Sequence, residues 1–359
     1  VNKELSPLAL AAYATAAVPG LEVVSLCEPY DNDGSMARQG IVDSQGNHWV
    51  VCTPLTDQAG AGVQAQMTLL RLLHRAREKG FLPFDVPLPV VNKRQSHDLR
   101  VLVHPEIRGD SGSWESMAAS PMVTASMGRA IAALHELPED VIEFTGLPIY
   151  SVAEIRKRLL SLLDEAAAAT PLPPNLYDRW EAALDDVSLL RFQTVPVHGD
   201  LGPDSFICSG GVVSAMSAFA SAHMGDPAED LAWIMTCPVE GVRDSFLDSY
   251  RSSRTGLEDL HLVSRAQLWS ELAILRWLLH GVRNEDDEII QDAKSMLADL
   301  SDAVGEEPLM PSHTLSEQEV EFDNLDEVGQ VIPPAEEIDP NAPTVNLSEI
   351  LYSEEDDWR

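Results

Sequence analysis

The side chains whose types and spacing could do chemistry fall in two short runs. One is Val197-His198-Gly199-Asp200-Leu201-Gly202-Pro203-Asp204-Ser205; the other is Gly225-Asp226-Pro227-Ala228-Glu229-Asp230-Leu231-Ala232, with Ala218 between them. A carboxylate in a tight loop has two uses. Asp200 could accept or orient the proton of a substrate hydroxyl, or it could hydrogen-bond the backbone amides of its own loop. Asp204 reads as a loop-turn aspartate. Asp226-Pro227 forms an N-cap and first-turn pair, and His198 reads as a packing residue, since acid or base work needs a proton partner within reach.

The order and content of these runs resemble the aminoglycoside and macrolide phosphotransferase family, small-molecule kinases with the protein-kinase fold. That family reads H-G-D-L-x-P-x-N, then V-I-D-W, then G-D-P-x-x-D-L-A. Met127-Gly128-Arg129-Ala130-Ile131-Ala132-Ala133-Leu134-His135-Glu136-Leu137-Pro138 is similar to the family's L-G-x-x-L-A-x-L-H-x-L-P helix, and Trp49-Val50-Val51-Cys52-Thr53-Pro54 to its W-V-L-R-x-P strand. The resemblance runs from about residue 22 to 295. It implies that Asp200 is the remnant of the catalytic aspartate, with His198 supporting its loop. It also implies that Ser205 stands in place of the asparagine and Ala218 in place of the metal-binding aspartate. Phosphoryl transfer depends on positioning and on charge neutralisation by Mg²⁺, an ion that wants hard oxygen ligands. Alanine offers none, so a crippled metal site is expected, with Asp204 as a substitute ligand if the chain is active.

The same resemblance bears on the phosphate clamp, normally a cation on the third strand held by a helix glutamate. The matching positions carry Cys52 and Gln66, neither of them charged at neutral pH. A glycine-rich phosphate loop is absent, because Tyr30-Asp31-Asn32-Asp33-Gly34-Ser35 offers one glycine and two carboxylates. Arg38, on the preceding strand, is the substitute cation in an active alternative, since arginine forms a competent phosphate fork.

The elements needed to position these residues follow from periodicity. Glu22 to Cys27, Ala37 to Val42 and His48 to Thr53 alternate as antiparallel strands, and a helix is expected from about Ala61 to Lys79. Val86 to Pro89 reads as an extended linker, followed by a strand at Leu99 to Val103. The remainder reads as helical at 121–137, 152–168, 175–190, 227–236, 239–252, 257–282 and 285–304, interrupted by a hairpin, Phe206 to Cys208 and Val212 to Ser217. The fold class expected is α+β: a bilobal, protein-kinase-like body with an antiparallel-sheet N-lobe at 1–104, a helical C-lobe at 105–304, and an acidic tail at 305–359 whose composition predicts disorder.

Composition narrows the partners. The net charge is −34, and residues 305–359 hold 16 Asp and Glu against one arginine, leaving −19 for the first 304 residues. So acidic a body excludes nucleic acid, whose binding needs lysines and arginines to displace counterions. It favours a cationic small molecule in the cleft, or a basic protein partner for the tail. Four widely separated cysteines indicate neither a disulfide framework nor a zinc site. No apolar run is long enough for a membrane span. The alanine-rich N-terminus imitates a secretory signal, but Glu4 and Ser6-Pro7 fit the start of an ordinary helix, so a cytoplasmic protein is expected.

Two readings follow. The first is a phosphotransferase-family protein with an eroded phosphate- and metal-binding set, a non-catalytic pseudokinase or binding module needing no cofactor. The alternative is an active O-phosphotransferase using ATP or GTP with Mg²⁺ on an antibiotic or small hydroxylated metabolite.

Overall fold

Ser6 accepts a hydrogen bond from the Ala9 backbone N–H and Pro7 supplies the first turn, so a helix starts where cap and proline meet. In the computed structural model of the protein, which describes residues 5–32, 36–96, 99–255 and 259–309, this helix is α1, Pro7–Ala17. Strands β1 Val23–Asn32, β2 Met36–Asp43 and β3 His48–Pro54 follow, then α2 Asp57–Glu78, β4 Val91–Ser96 and β5 Leu99–Pro105. The strands form one antiparallel sheet in the order β1-β2-β3-β5-β4.

The two-residue period of the strands gives the sheet two apolar faces. On one, Ala37, Ile41, Val51, Val101 and Val103 pack against Leu10, Ala11 and Ala14 of α1. On the other, Val50, Cys52 and Leu102 pack against Val63 and Met67 of α2. The second face is the one that α2 covers, and α2 continues down to touch the turn at Phe219–Ser221.

The second lobe opens with β6 Asp110–Ser111, α3 Trp114–Ala119, α4 Pro121–His135 and α5 Asp140–Glu143. After α6 Val152–Ala169 and α7 Pro174–Asp185 come β7 Val195–Val197, β8 Phe206–Ser209, β9 Val212–Met216 and β10 His223–Gly225, then α8 Val242–Ser253, α9 Leu262–Asn284 and α10 Asp287–Val304. The strand β7 pairs antiparallel with β10, and β6-β8-β9 form a separate small sheet. These two ladders hold the ends of both sequence runs singled out above. The compact unit ends at Leu309, and the expected tail disorder concerns residues that lie outside those described, apart from the first few after Val304.

Periodicity misread several segments. The helix expected at 227–236 is instead a pair of 3-10 turns, Glu229–Leu231 and Trp233–Thr236. Side chains there take backbone groups that a helix would need: Asp226 accepts from Ala228 N at 2.9 Å, Trp233 Nε1 donates to the Asp230 carbonyl and Thr236 Oγ1 to the Trp233 carbonyl. The long β1 carries a bulge between Cys27 and Tyr30 that alternation alone did not show, and β4, polar in sequence, was not anticipated.

Candidate active site

The loop that carries Asp200 is held from below by one carboxylate. Asp230 is fully buried, and its two oxygens accept the backbone N–H groups of His198 at 2.7 Å and Gly199 at 2.8 Å. His135 Nε2 lies 3.1 Å from Asp230 Oδ2, and His135 Nδ1 accepts from the Tyr250 hydroxyl at 2.9 Å. Burial pushes the Asp230 carboxyl up, but the hydrogen bond and electrostatic pull of His135, with the His198 backbone N–H, outweigh this and hold it below the usual carboxylate range. The neighbouring His135 is pushed below the usual histidine range by burial, which keeps it neutral. Asp226, also buried, accepts from Arg265 Nε at 3.0 Å and from Trp269 Nε1 at 3.0 Å. Both aspartates of the second run therefore brace the scaffold.

His198 is buried and its Nε2 donates to the Ser217 carbonyl at 2.7 Å, tying the loop to the end of β9. Gly199 turns the chain at φ 81°, and a Cβ there would come within 2.4 Å of the Ser221 carbonyl oxygen, so only glycine fits. This construction leaves Asp200 exposed beside a cavity of about 410 Å³, whose wall includes Trp233, Trp269 and Trp277. A carboxylate so placed is available to a ligand. The cavity was not legible in the sequence; Trp269 and Trp277 share α9, but Trp233 lies in a separate 3-10 turn, and only the fold brings it to them.

Of the positions tied to a metal by the resemblance, Ser205 and the substitute Asp204 lie in the loop, and Ala218 follows β9. Ser205 is buried, and its Oγ accepts from Gly202 N at 3.2 Å, while its carbonyl receives Ser217 N at 2.9 Å. The Asp204 carboxylate curls over its own loop, with Oδ1 2.7 Å from where a Cβ on Gly202 would lie. Ala218 is exposed and holds φ 68°, ψ 32°, a left-handed conformation found among the described non-glycine residues only here and at Glu285. Left-handed backbone costs an L-residue about 1–2 kcal/mol. The turn keeps that shape with only a methyl group to present.

In the small lobe, Cys52 lies buried between Val50, Val63, Met67 and Leu102, and burial pushes its thiol up to about 11. Gln66 stands beside Met67 on α2, partly exposed. The register places Arg38 directly across from Cys52, so both side chains share the face of the sheet that α2 covers. One pair further along that face, the Glu28 carbonyl oxygen lies 2.2 Å from where a Cβ on Gly40 would be. Beside its bulge, the β1 backbone thus lies tight against Gly40 on that face.

These elements match known architecture. The profile of the APH family, described as "Phosphotransferase enzyme family", matches residues 41–263. The chain belongs to this phosphotransferase family. Among solved structures it is similar to macrolide 2'-phosphotransferase MphH from Brachybacterium faecium, in its apoenzyme form, at 22% identity over 82% of this chain and 97% of that one, with a TM-score of 0.68. A macrolide 2'-phosphotransferase type I matches at 22% identity, 80% and 94% coverage and a TM-score of 0.66. The GDP complex of aminoglycoside 2'-phosphotransferase-IIIa matches at 18% identity, 81% and 97% coverage and a TM-score of 0.66. At such identities the likeness carries the kinase-like fold. No curated protein matches the chain. No helix among the described residues is long and apolar enough to cross a membrane.

For a phosphotransferase, the group to be tested against this site is a Mg²⁺-nucleotide. The residues present do not fit it: Ala218 supplies no donor, the Ser205 hydroxyl is occupied by loop backbone, and the third-strand position is a buried neutral thiol.

Proposed function

We propose that this phosphotransferase-family protein is a non-catalytic binding module, a pseudokinase that keeps the loop scaffold of its family without the charges that position a nucleotide. One observation carries the reading: Ala218 holds a left-handed turn at the place where a metal carboxylate is expected, while the loop beside it is fully braced by Asp230. Loss of a metal carboxylate and of a phosphate-gripping cation each removes several kcal/mol of transition-state stabilisation, and every ~1.4 kcal/mol is about tenfold in rate. Asp200 on this reading lines a ligand cavity instead of taking a proton.

The test is thermal unfolding of the full chain with ATP or GTP, with and without Mg²⁺. The proposal expects no metal-dependent stabilisation. A ligand at a hundred times its Kd would contribute about 2.7 kcal/mol, a rise of several degrees in Tm, and such a rise with Mg-nucleotide but not with nucleotide alone overturns it.

A second reading draws on Arg38. Its place across from Cys52 supports an active phosphotransferase in which the cation has moved one strand over and Asp200 acts with Asp204. Nucleotide-dependent phosphorylation of a hydroxylated acceptor, lost in Asp200→Asn and in Arg38→Gln, would establish that reading over the first.

A further inference from the structure

We propose that a second cavity, walled by α6, the turn after Ala218 and α9, is a binding site for a small ligand that carries an oxyanion, phosphate or carboxylate, on an apolar body. The inference does not depend on whether the chain transfers phosphate: the cavity borders the Asp200 loop at Gly199 and shares Glu229, Trp269 and Arg276 with the cavity beside Asp200, but none of its charged side chains stands at an expected phosphate or metal position.

The cavity has a volume of about 390 Å³. In a body of net charge −19, three cations nevertheless face it: Arg158, Arg276 and His223. Arg158 stacks on the Tyr150 ring at 4.2 Å and pairs with no carboxylate among the described residues. The nearby α6 carboxylates are engaged elsewhere, since Glu154 accepts from the Ser151 N–H and hydroxyl at the helix start and Glu165 pairs with Arg283. Arg276 stacks over Trp269 at 4.8 Å, and its nearest carboxylate, Glu229, is 3.5 Å away.

His223 is held as an imidazolium by its partners. Its Nδ1 meets the Ser221 carbonyl at 2.8 Å and its Nε2 meets the Glu229 carboxylate at 3.2 Å, and two acceptors require two N–H donors. Burial works against that charge, but Glu229 outweighs it and raises the histidine above its ordinary range. One carboxylate therefore answers three cations. Both its oxygens are used, Oε2 toward His223 and Oε1 toward Arg276. Each guanidinium sits over an aromatic ring, which restrains the planar group whose fork matches an oxyanion. Leu147, Pro148, Ile155, Leu159 and Leu162 supply an apolar wall. A polycation would meet like charge here, whereas an anion with a ring or alkyl body would meet two forks and a greasy floor.

Calorimetric titration of the full chain tests this with three probes: phenyl phosphate, inorganic phosphate and benzylamine. Phenyl phosphate should bind more tightly than inorganic phosphate, and benzylamine should be the weakest of the three. Arg158→Gln and Arg276→Gln should each weaken phenyl phosphate by about fivefold or more, as expected for loss of a charge-assisted pair. Both residues are exposed, so these variants should melt as the parent does. Arg243→Gln, at an exposed ion pair on α8, should leave the affinity unchanged, and Arg38→Gln tells this cavity from a phosphate site at the sheet. The proposal is overturned if phenyl phosphate gives no binding, if both cavity variants bind it as the parent does, if Arg38→Gln alone abolishes it, or if benzylamine binds as tightly. Mg-nucleotide binding is read in a separate titration, so failure of the non-catalytic reading leaves this result intact, and the reverse holds too.

Discussion

Asp230 and His198 are joined by a 2.7 Å hydrogen bond from the His198 backbone N–H to a fully buried carboxylate, and this bond, with its neighbour from Gly199, sets the position of the loop that presents Asp200. The carboxylate is held ionised despite burial, so its removal exposes the loss of several charge-assisted bonds at once.

Asp230→Asn should therefore destabilise the protein by about 3–5 kcal/mol, the scale for breaking a buried charged network. Chemical denaturation measures it. A change under about 1 kcal/mol would mean that the brace is dispensable and that the loop is held by packing alone.

Acid should weaken the same network. A depressed carboxylate such as Asp230 contributes stability above its unfolded pKa of about 4 that is lost as pH falls through the folded value. His135, also depressed, adds in the same direction: it must take up a proton on unfolding below about pH 6.5, so stability falls as pH drops from there. His223 runs the other way. Its raised pKa contributes stability fully present below about pH 6.5 and lost as pH rises through the folded value. Histidine resonances followed against pH should show His223 titrating above 6.5 and His135 below it; coincident curves would sink this assignment.

Ala218→Gly should raise stability by about 0.5–1 kcal/mol, since relief of left-handed strain exceeds the entropy that glycine adds to the unfolded chain. Thermal melts read the sign. A loss would show that the methyl group packs in a way that offsets the strain.

Gly40→Ala should destabilise by about 1–3 kcal/mol, the usual cost of overpacking, because the new Cβ meets the Glu28 carbonyl oxygen at 2.2 Å and the β1 bulge must move. Unfolding midpoints compare the two proteins, and an unchanged midpoint would mean that the bulge yields freely.

Cys52 should be slow to react with thiol reagents at pH 8, since it is buried and pushed up to about 11, while the partly exposed Cys27 and Cys237 react first. Mass spectrometry of a timed alkylation orders them. Early labelling of Cys52 would show that the small lobe opens.

Much of this architecture was legible in the sequence because backbone demands leave marks. His198-Gly199-Asp200 announced a tight loop, and the glycine's φ of 81° shows why that residue type was required. Ser6-Pro7 marked a helix start that the structure bears out, and the helix expected from 121 opens there, with Ser120 as its cap. What stayed hidden depends on residues far apart in the chain. Tyr250 reaches His135 across 115 positions, and Glu229 meets Arg276 across 47, so no local pattern could pair them. The bulge in β1 escaped notice for a different reason: strand alternation reports which face a residue takes, not where an extra residue slips the ladder.

The Asp230, His135 and Tyr250 contacts that brace the Asp200 loop all belong to the helical lobe, and none of them passes through the small lobe's sheet. Shape and reactivity are thus mechanically uncoupled in this molecule. A lineage could discard the charges that handle phosphate one at a time and still fold each intermediate, leaving a finished vessel free to take up new cargo.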